Sequence, residues 1–363
     1  MKKHKKILHI ITSLGNGGAE KNLLRLCLAD KTNQNIIVTL KENNFYLKIL
    51  KNNRISVINL NIVKNPITGL KRLILIIKKI KPKIIMSWMY HACLLIVLIN
   101  KFIDTKIIKI WNIRHSTVIP FKTKLFTYLI VRYFLVIFSS VPNKIVFNSF
   151  HSKKIHKSYG FFNKNNHVIH NGFEKKKFQK KKITNQINFG FIGRYSKQKN
   201  FEFLFKIISF LKRKKIKFKF YLIGTNVNNK NKELLTLIHD LDIKDKIIFL
   251  NTKKDISEYF NLFDLTISTS VYGESFPNVL AESLFSSTPC LATDFGENRL
   301  IIKKGGFLYR KNNLQDFYSK YKKIFILRKN KKNWENFRKR GYYYVNKNFS
   351  INKMLSKYYR IYC

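Results

Sequence analysis

Residues 264–292 read DLTISTSVYGESFPNVLAESLFSSTPCLA. A short β-branched run (264–268) is followed by a polar loop, a helical pattern (276–287) and a second apolar run (289–292). Strands separated by a helix are read as parallel neighbours, because the chain must cross back over one face of the sheet to begin the second. Pro277 stands in the first turn of the expected helix, where its missing N–H costs nothing and the remaining amides suit an anion. Glu274 precedes that helix and Glu282 lies inside it, eight positions on. Eight residues are a little over two turns, so Glu282 falls on the face that Glu274 approaches from the loop. A loop acid, an anion-binding helix start and a helix acid form a nucleotide-sugar grip. In isolation, the same pair reads more readily as two solvated glutamates of a surface helix than as a site.

The same alternation extends in both directions. Strands are expected at 7–12, 35–40, 55–60, 83–87, 106–111, 144–147 and 167–169, with helices near 19–30, 67–80, 91–101, 122–140 and 149–158. After a Lys-rich stretch, 174–186, strands follow at 187–192, 218–223, 246–250, 264–268 and 289–292. The helices of this half are expected near 200–213, 230–240, 255–261, 276–287 and 313–326, with a basic helical tail over 331–363. Short apolar strands alternating with helices predict parallel sheets covered on both faces, and two such series predict two doubly wound α/β domains. Ligands of such sheets bind beyond the carboxyl ends of the strands.

The chain has 363 residues, 45% of them hydrophobic, enough to build two cores. Four scattered cysteines (Cys27, Cys93, Cys290, Cys363) give neither a disulfide framework nor a zinc spacing. Lys and Arg number 71 against 19 Asp and Glu, a formal charge of +52. Such an excess suits nucleic acid, an anionic membrane surface or a lysine-rich coding bias. The bases are spread along the whole chain without aromatic interleaving, which leaves nucleic acid the least favoured. The basic start Met1–Lys6 before Ile7–Ile11 imitates a signal peptide, but its apolar run is short, contains His9 and leads into a glycine loop, as a first strand does. Residues 125–141 (LFTYLIVRYFLVIFSSV) are the most apolar stretch; Arg132 interrupts it and Pro142 closes it, which predicts a buried or membrane-facing helix, not a span.

The polar clusters follow strands. Gly15–Gly18 and Glu20 open a helix after the first. A dinucleotide fingerprint needs Gly or Ala where Glu20 stands, which disfavours a nicotinamide oxidoreductase, although Glu42 imitates a ribose-binding acid. Trp88–His91 and Asn112–Ser116 bring His91, Arg114 and His115 to two further strand ends. Gly193-Arg194 with Lys199-Asn200 combines a guanidinium fork, an ammonium and a helix start, a diphosphate site in miniature. Asp240-Leu241-Asp242 matches a metal-holding D-x-D but ends a helical pattern, so it reads as a solvated helix end and no metal is expected.

With these residues in place, the chain resembles retaining glycosyltransferase family 4, in its order and spacing of Gly17-Gly18, Asn148-Ser149, His170-Asn171-Gly172, Gly193-Arg194…Lys199-Asn200 and Glu274…Glu282. Trp88–Ala92 and Ile113–Ser116 resemble the branch that builds O-antigen, capsule and lipopolysaccharide. The resemblance implies a GT-B fold of two facing Rossmann-like domains with a cleft between them: 1–175 on the acceptor side, 176–345 on the nucleotide-sugar side, and a C-terminal helix, 346–363, packing back toward the first. It implies that Arg194, Lys199, Gly17, Gly18 and the amides of Asn278, Val279 and Leu280 meet the donor diphosphate. Glu282 is expected to hold the ribose, Glu274 the donor sugar, His115 to stand near the anomeric carbon, and His91 and Arg114 to face the acceptor. Retention by same-face attack, assisted by the leaving diphosphate, requires no metal, cofactor or covalent nucleophile. The implied partners are a nucleotide-sugar donor such as a UDP-sugar, a lipid-linked or glycan acceptor and the cytoplasmic membrane's inner face, with no nucleic acid. Asn251 and Ser275 stand where many relatives have Gly, which leaves the base and sugar subsites open.

Overall fold

The computed structural model describes residues 5–43, 45–62, 65–121, 123–253 and 255–363. Met1–His4 of the basic start and the first residue of the helix expected over 122–140 lie outside them. The chain divides into two compact units, Met1–Gly172 with Ile351–Cys363, and Phe173–Ser350. The expected divisions at 175/176 and 345/346 therefore move to 172/173 and 350/351.

Among the described residues the first unit holds seven strands: β1 (Lys6–Ile11), β2 (Gln34–Thr39), β3 (Ser56–Asn59), β4 (Ile84–Trp88), β5 (Ile108–Ile113), β6 (Lys144–Phe147) and β7 (Asn166–Val168). All pair in parallel in the order β3-β2-β1-β4-β5-β6-β7. Its helices are α1 (Gly18–Ala29), α2 (Leu47–Asn52), α3 (Pro66–Ile80), α4 (Met89–Leu98), α5 (Leu125–Leu129), α6 (Leu135–Ile137) and α7 (Phe150–Ser158). Strand alternation explains the two covered faces. Ile7 and Ile11 pack on one side with Leu23 and Cys27 of α1, and Leu8 and Ile10 on the other with Leu73 and Ile77 of α3.

The second unit repeats the topology with six strands: β8 (Ile187–Ile192), β9 (Phe218–Ile223), β10 (Ile247–Phe249), β11 (Leu265–Ser268), β12 (Cys290–Thr293) and β13 (Gly306–Tyr309). Their order is β10-β9-β8-β11-β12-β13, again parallel throughout. Helices α8 (Phe201–Arg213), α9 (Lys232–Asp240), α10 (Asn278–Phe285), α11 (Asn298–Ile301), α12 (Leu314–Lys329) and α13 (Lys331–Phe349) follow. The core is rich in phenylalanine; Phe189 and Phe220 stack across adjacent strands at 4.6 Å between centroids. Helix α14 (Ile351–Ile361) returns to the first unit, where Met354, Leu355 and Tyr358 join the α1 side of the core.

Several elements depart from expectation. The helix expected over 276–287 spans only Asn278–Phe285, with Pro277 at its N-cap position, outside the first turn. The one expected over 122–140 is α5, a π turn at Ile130–Phe134, and α6. Residues 255–261 hold only a 3-10 turn, Glu258–Asn261, and the tail breaks at Ser350 into α13 and α14. Strand β13 and helices α2 and α11 were not anticipated. Among the described residues no helix is long and apolar enough to cross a membrane.

Candidate functional site

A doubly wound sheet has a crossover where the chain, having laid strands on one side of its first strand, starts on the other; loops diverge there and leave a crevice. In the second unit this point lies between β8 and β11. The loop after β8 carries Gly193, Arg194 and Lys199, and the loop after β11 carries Glu274.

Lys199 and Glu274 form an ion pair joining these two loops, through the ammonium and Oε1. Both side chains are largely shielded, at 17% and 14% exposure, so water screens the pair less than it would at the surface. Neighbouring hydroxyls hold each loop. Thr269 Oγ1 donates to the Lys199 carbonyl at 2.6 Å, and Ser270 Oγ donates to Glu274 Oε1 at 3.2 Å. Thr293 Oγ1 fixes the Ser270 carbonyl at 2.6 Å, and the Tyr309 hydroxyl fixes that of Ser268 at 2.8 Å. Gly273 turns the chain with φ +71°, a conformation glycine adopts without steric cost. The Lys199 stem lies against Gly193, where a Cβ would be 3.1 Å away. At Gly224, after β9, a Cβ would overlap the Gly193 carbonyl, so only glycine lets those two backbones approach.

Arg194 is exposed and donates to Gln198 Oε1 at 3.2 Å. Asn200 caps α8, its side chain accepting from the Phe203 amide at 3.4 Å. Glu282 is buried on α10. Asn278, Val279 and Leu280 form the first turn of that helix. The Leu280 amide donates to the Pro277 carbonyl at 3.2 Å, so the expectation that it caps a diphosphate is corrected: it is already engaged. Asp240 and Asp242 are solvated at the end of α9, where Lys212 pairs with Asp242. Among the described residues, no three His, Cys, Asp or Glu side chains gather as around a metal ion.

In the first unit, Gly17 is the N-cap of α1, and Glu20 turns its carboxylate back so closely that a Cβ on Gly17 would strike it. Gly18 opens the helix. His91 is not a loop residue as expected; α4 begins at Met89, which puts His91 in its first turn, half-buried with its ring 6.1 Å from that of Phe126. Burial, then the charges of Lys41 and Lys124, lower its pKa. His115 lies in the loop after β5, partly exposed, its carbonyl accepting from Ser152 Oγ at 2.7 Å.

Arg114 departs from the acceptor-facing role expected of it. It is buried, donates to Asn171 Oδ1 at 2.9 Å, to the Ile169 carbonyl at 3.3 Å and to the Tyr358 hydroxyl, and lies over the Trp88 ring at 5.0 Å. Its planar donor fork thus joins the ends of β5 and β7 to α14. Sequence reasoning missed the ties made by Thr269, Ser270, Thr293 and Tyr309; the hydroxyl run at 268–270 right after a strand was the available signal.

Residues 172–341 match the family described as glycosyl transferases group 1. The matched segment is 170 of the 363 residues. It holds the Lys199–Glu274 pair and all of α10. The putative glycosyltransferase EpsF of Bacillus subtilis (strain 168) is 30% identical over 105 residues, which span 29% of this chain and 27% of EpsF. The crystal structure of Alr3699/HepE of Anabaena, in complex with UDP and glucose, superposes with a TM-score of 0.83 at 16% identity over 99% of both chains. A glycosyltransferase of Rickettsia africae ESF-5 superposes with 0.81 at 20% identity, over 99% of this chain and 98% of its own. These likenesses, with the two parallel sheets, establish the GT-B fold.

Proposed function

We propose that this glycosyltransferase moves a hexose or N-acetylhexosamine from a nucleoside diphosphate sugar to a lipid-linked or surface-glycan acceptor, with retention and without a metal ion. The observation that carries the reading is the Lys199–Glu274 pair, which spans the sheet crossover of the glycosyl transferase domain. As the sugar–diphosphate bond breaks, negative charge grows on the leaving diphosphate. The Lys199 ammonium and the Arg194 guanidinium are cations of the right kind to stabilise it. Glu274 keeps an acceptor oxygen for a donor-sugar hydroxyl, Glu282 takes the ribose, and the Asn278 and Val279 amides meet the diphosphate.

The acceptor attacks from the face the diphosphate leaves, a diphosphate oxygen takes the acceptor's proton, and no enzyme nucleophile is used. His115, His91 and the Gly17-Gly18 turn serve the acceptor side. HepE, of the same fold, is seen with UDP, which favours a UDP-sugar. Surface-glycan synthesis is supported by the sequence at 88–92 and 113–116, and with it a place on the inner face of the cytoplasmic membrane. The carboxylate of Glu20 at the α1 start counts against a dinucleotide there.

A thermal-shift series with UDP, GDP, ADP, CMP and NAD tests the reading. It predicts that a nucleoside diphosphate raises the Tm of the native chain and that Arg194→Ala blunts the rise. Stabilisation by NAD alone, or by none of them alongside tight and steeply salt-dependent binding to random DNA, refutes it.

A further inference from the structure

The segment from α5 through α6 has apolar side chains on both its faces. Ile130, Val131 and Leu135 point inward and are buried in the cluster that includes Trp111, Ile145 and Phe147. Ile130 and Leu135 are five apart, spanned by the hydrogen bond of the π turn from the Leu135 amide to the Ile130 carbonyl, and both are buried on the inner side. The outward face is equally apolar. Phe121 is 106% exposed, Leu125 73% and Ile137 67%, and Phe126, Tyr133 and Phe134 lie open between them. Helix α4 packs on this segment. A helix apolar all round belongs inside a protein or against lipid, and a patch of this extent on a water-facing surface marks an interaction site.

The surrounding charge names the partner. Residues 89–172 carry twelve Lys and Arg and a single carboxylate, Asp104. Lys124 flanks the helix start, and Arg132 on the helix lies over the Tyr159 ring at 4.3 Å. Apolar side chains rimmed by cations match the boundary between headgroups and acyl chains of an anionic bilayer. The helical run Leu125–Ile137 has thirteen residues, far short of a span, so it lies in the interface.

We infer that the face formed by Phe121 and residues 125–138 is the surface by which this chain inserts shallowly into an anionic lipid bilayer. This rests on the membrane placement proposed above and names the side chains responsible. The occupant is lipid, not a second copy of the chain, because the strong local excess of positive charge would repel its like.

The test is co-sedimentation of the full chain with vesicles of phosphatidylcholine alone and of phosphatidylcholine with phosphatidylglycerol. A Phe126→Asp/Ile137→Asp variant is run beside it, with a Tm comparison to establish that the variant is folded. Both side chains are exposed, so the Tm should hold. The native chain should pellet with the anionic vesicles, and the variant's partition should fall about a hundredfold, roughly tenfold per lost anchor. Equal pelleting of both proteins, or no pelleting of the native chain, overturns the inference. So does concentration-dependent dimerisation of the native chain that the variant abolishes without vesicles. Release of nucleoside diphosphate from a donor sugar, assayed without lipid, reads the catalytic proposal separately, so either can fail alone.

Discussion

Lowering the pH should unfold the first unit by charging two histidines that its core holds neutral. His9 sits in β1 between two partners. The Trp88 indole N–H donates to its Nδ1 at 3.2 Å, and its Nε2 lies 2.9 Å from Asn35 Oδ1. An indole nitrogen is only a donor, so Nδ1 must accept and the proton stays on Nε2. His156 has the opposite tautomer: its Nδ1 donates to the Ser152 carbonyl at 2.8 Å, and its Nε2 accepts from the Tyr90 hydroxyl at 2.9 Å. Burial drops each pKa from 6.5 to about 4.

A histidine whose folded pKa lies below its unfolded value binds its proton more readily in the unfolded chain. Its contribution is therefore intact above pH 6.5 and lost as pH falls from there to about 4. Between about pH 7 and about pH 4.5 each histidine removes roughly 2 kcal/mol, and the two together roughly 4–5 kcal/mol. That loss rivals the whole stability of a domain of ordinary size, about 5–15 kcal/mol. The assay is NMR titration of the imidazole protons, with hydrogen exchange in β1 and α7 followed over the same range. The folded protein should show both rings neutral down to about pH 5 while exchange in these elements accelerates. Titration of either ring near pH 6.5 in the folded state would refute the reasoning.

Two further substitutions follow from single contacts. Tyr358→Phe removes the hydroxyl that accepts from both Arg114 and Asn112, and should cost about 1–3 kcal/mol, read as faster exchange in α14 with little change in the second unit. Unchanged protection of α14 would show that this tie does not hold the helix. Gly190→Ala would drive a methyl group into the Phe263 ring and should destabilise the second unit by about 1–3 kcal/mol in urea titration; an unaltered midpoint would show that the ring moves freely aside.

Where the sequence was legible, one physical signal dominated: strands covered on both faces read as near-continuous apolar runs, as in β1 and β4. Strand β13 escaped notice because it is four residues long and its first residue, Gly306, follows Gly305, a pair that reads as a turn. Helix α2 is six residues long with Tyr46 at its N-cap, so neither periodicity nor a cap announced it. The π turn inside 125–137 was hidden because a segment apolar on every face carries no period to read. At the candidate site, Lys199 and Glu274 were named separately from their positions after strands; that they form one ion pair depends on β8 and β11 being neighbours, which no local pattern reveals. The burial of Arg114 was not legible locally, because Tyr358, far along the chain, determines where its guanidinium goes.

The central claim is that the Lys199–Glu274 pair at the sheet crossover is the working part of a donor site. Its most direct test is the initial rate of nucleoside diphosphate release from the matching nucleotide sugar by the native chain and by Glu274→Gln, a substitution that keeps the side chain's shape and removes its charge. The account predicts turnover by the native chain and a loss of about a hundredfold or more in the variant. Turnover that survives Glu274→Gln undiminished would contradict it.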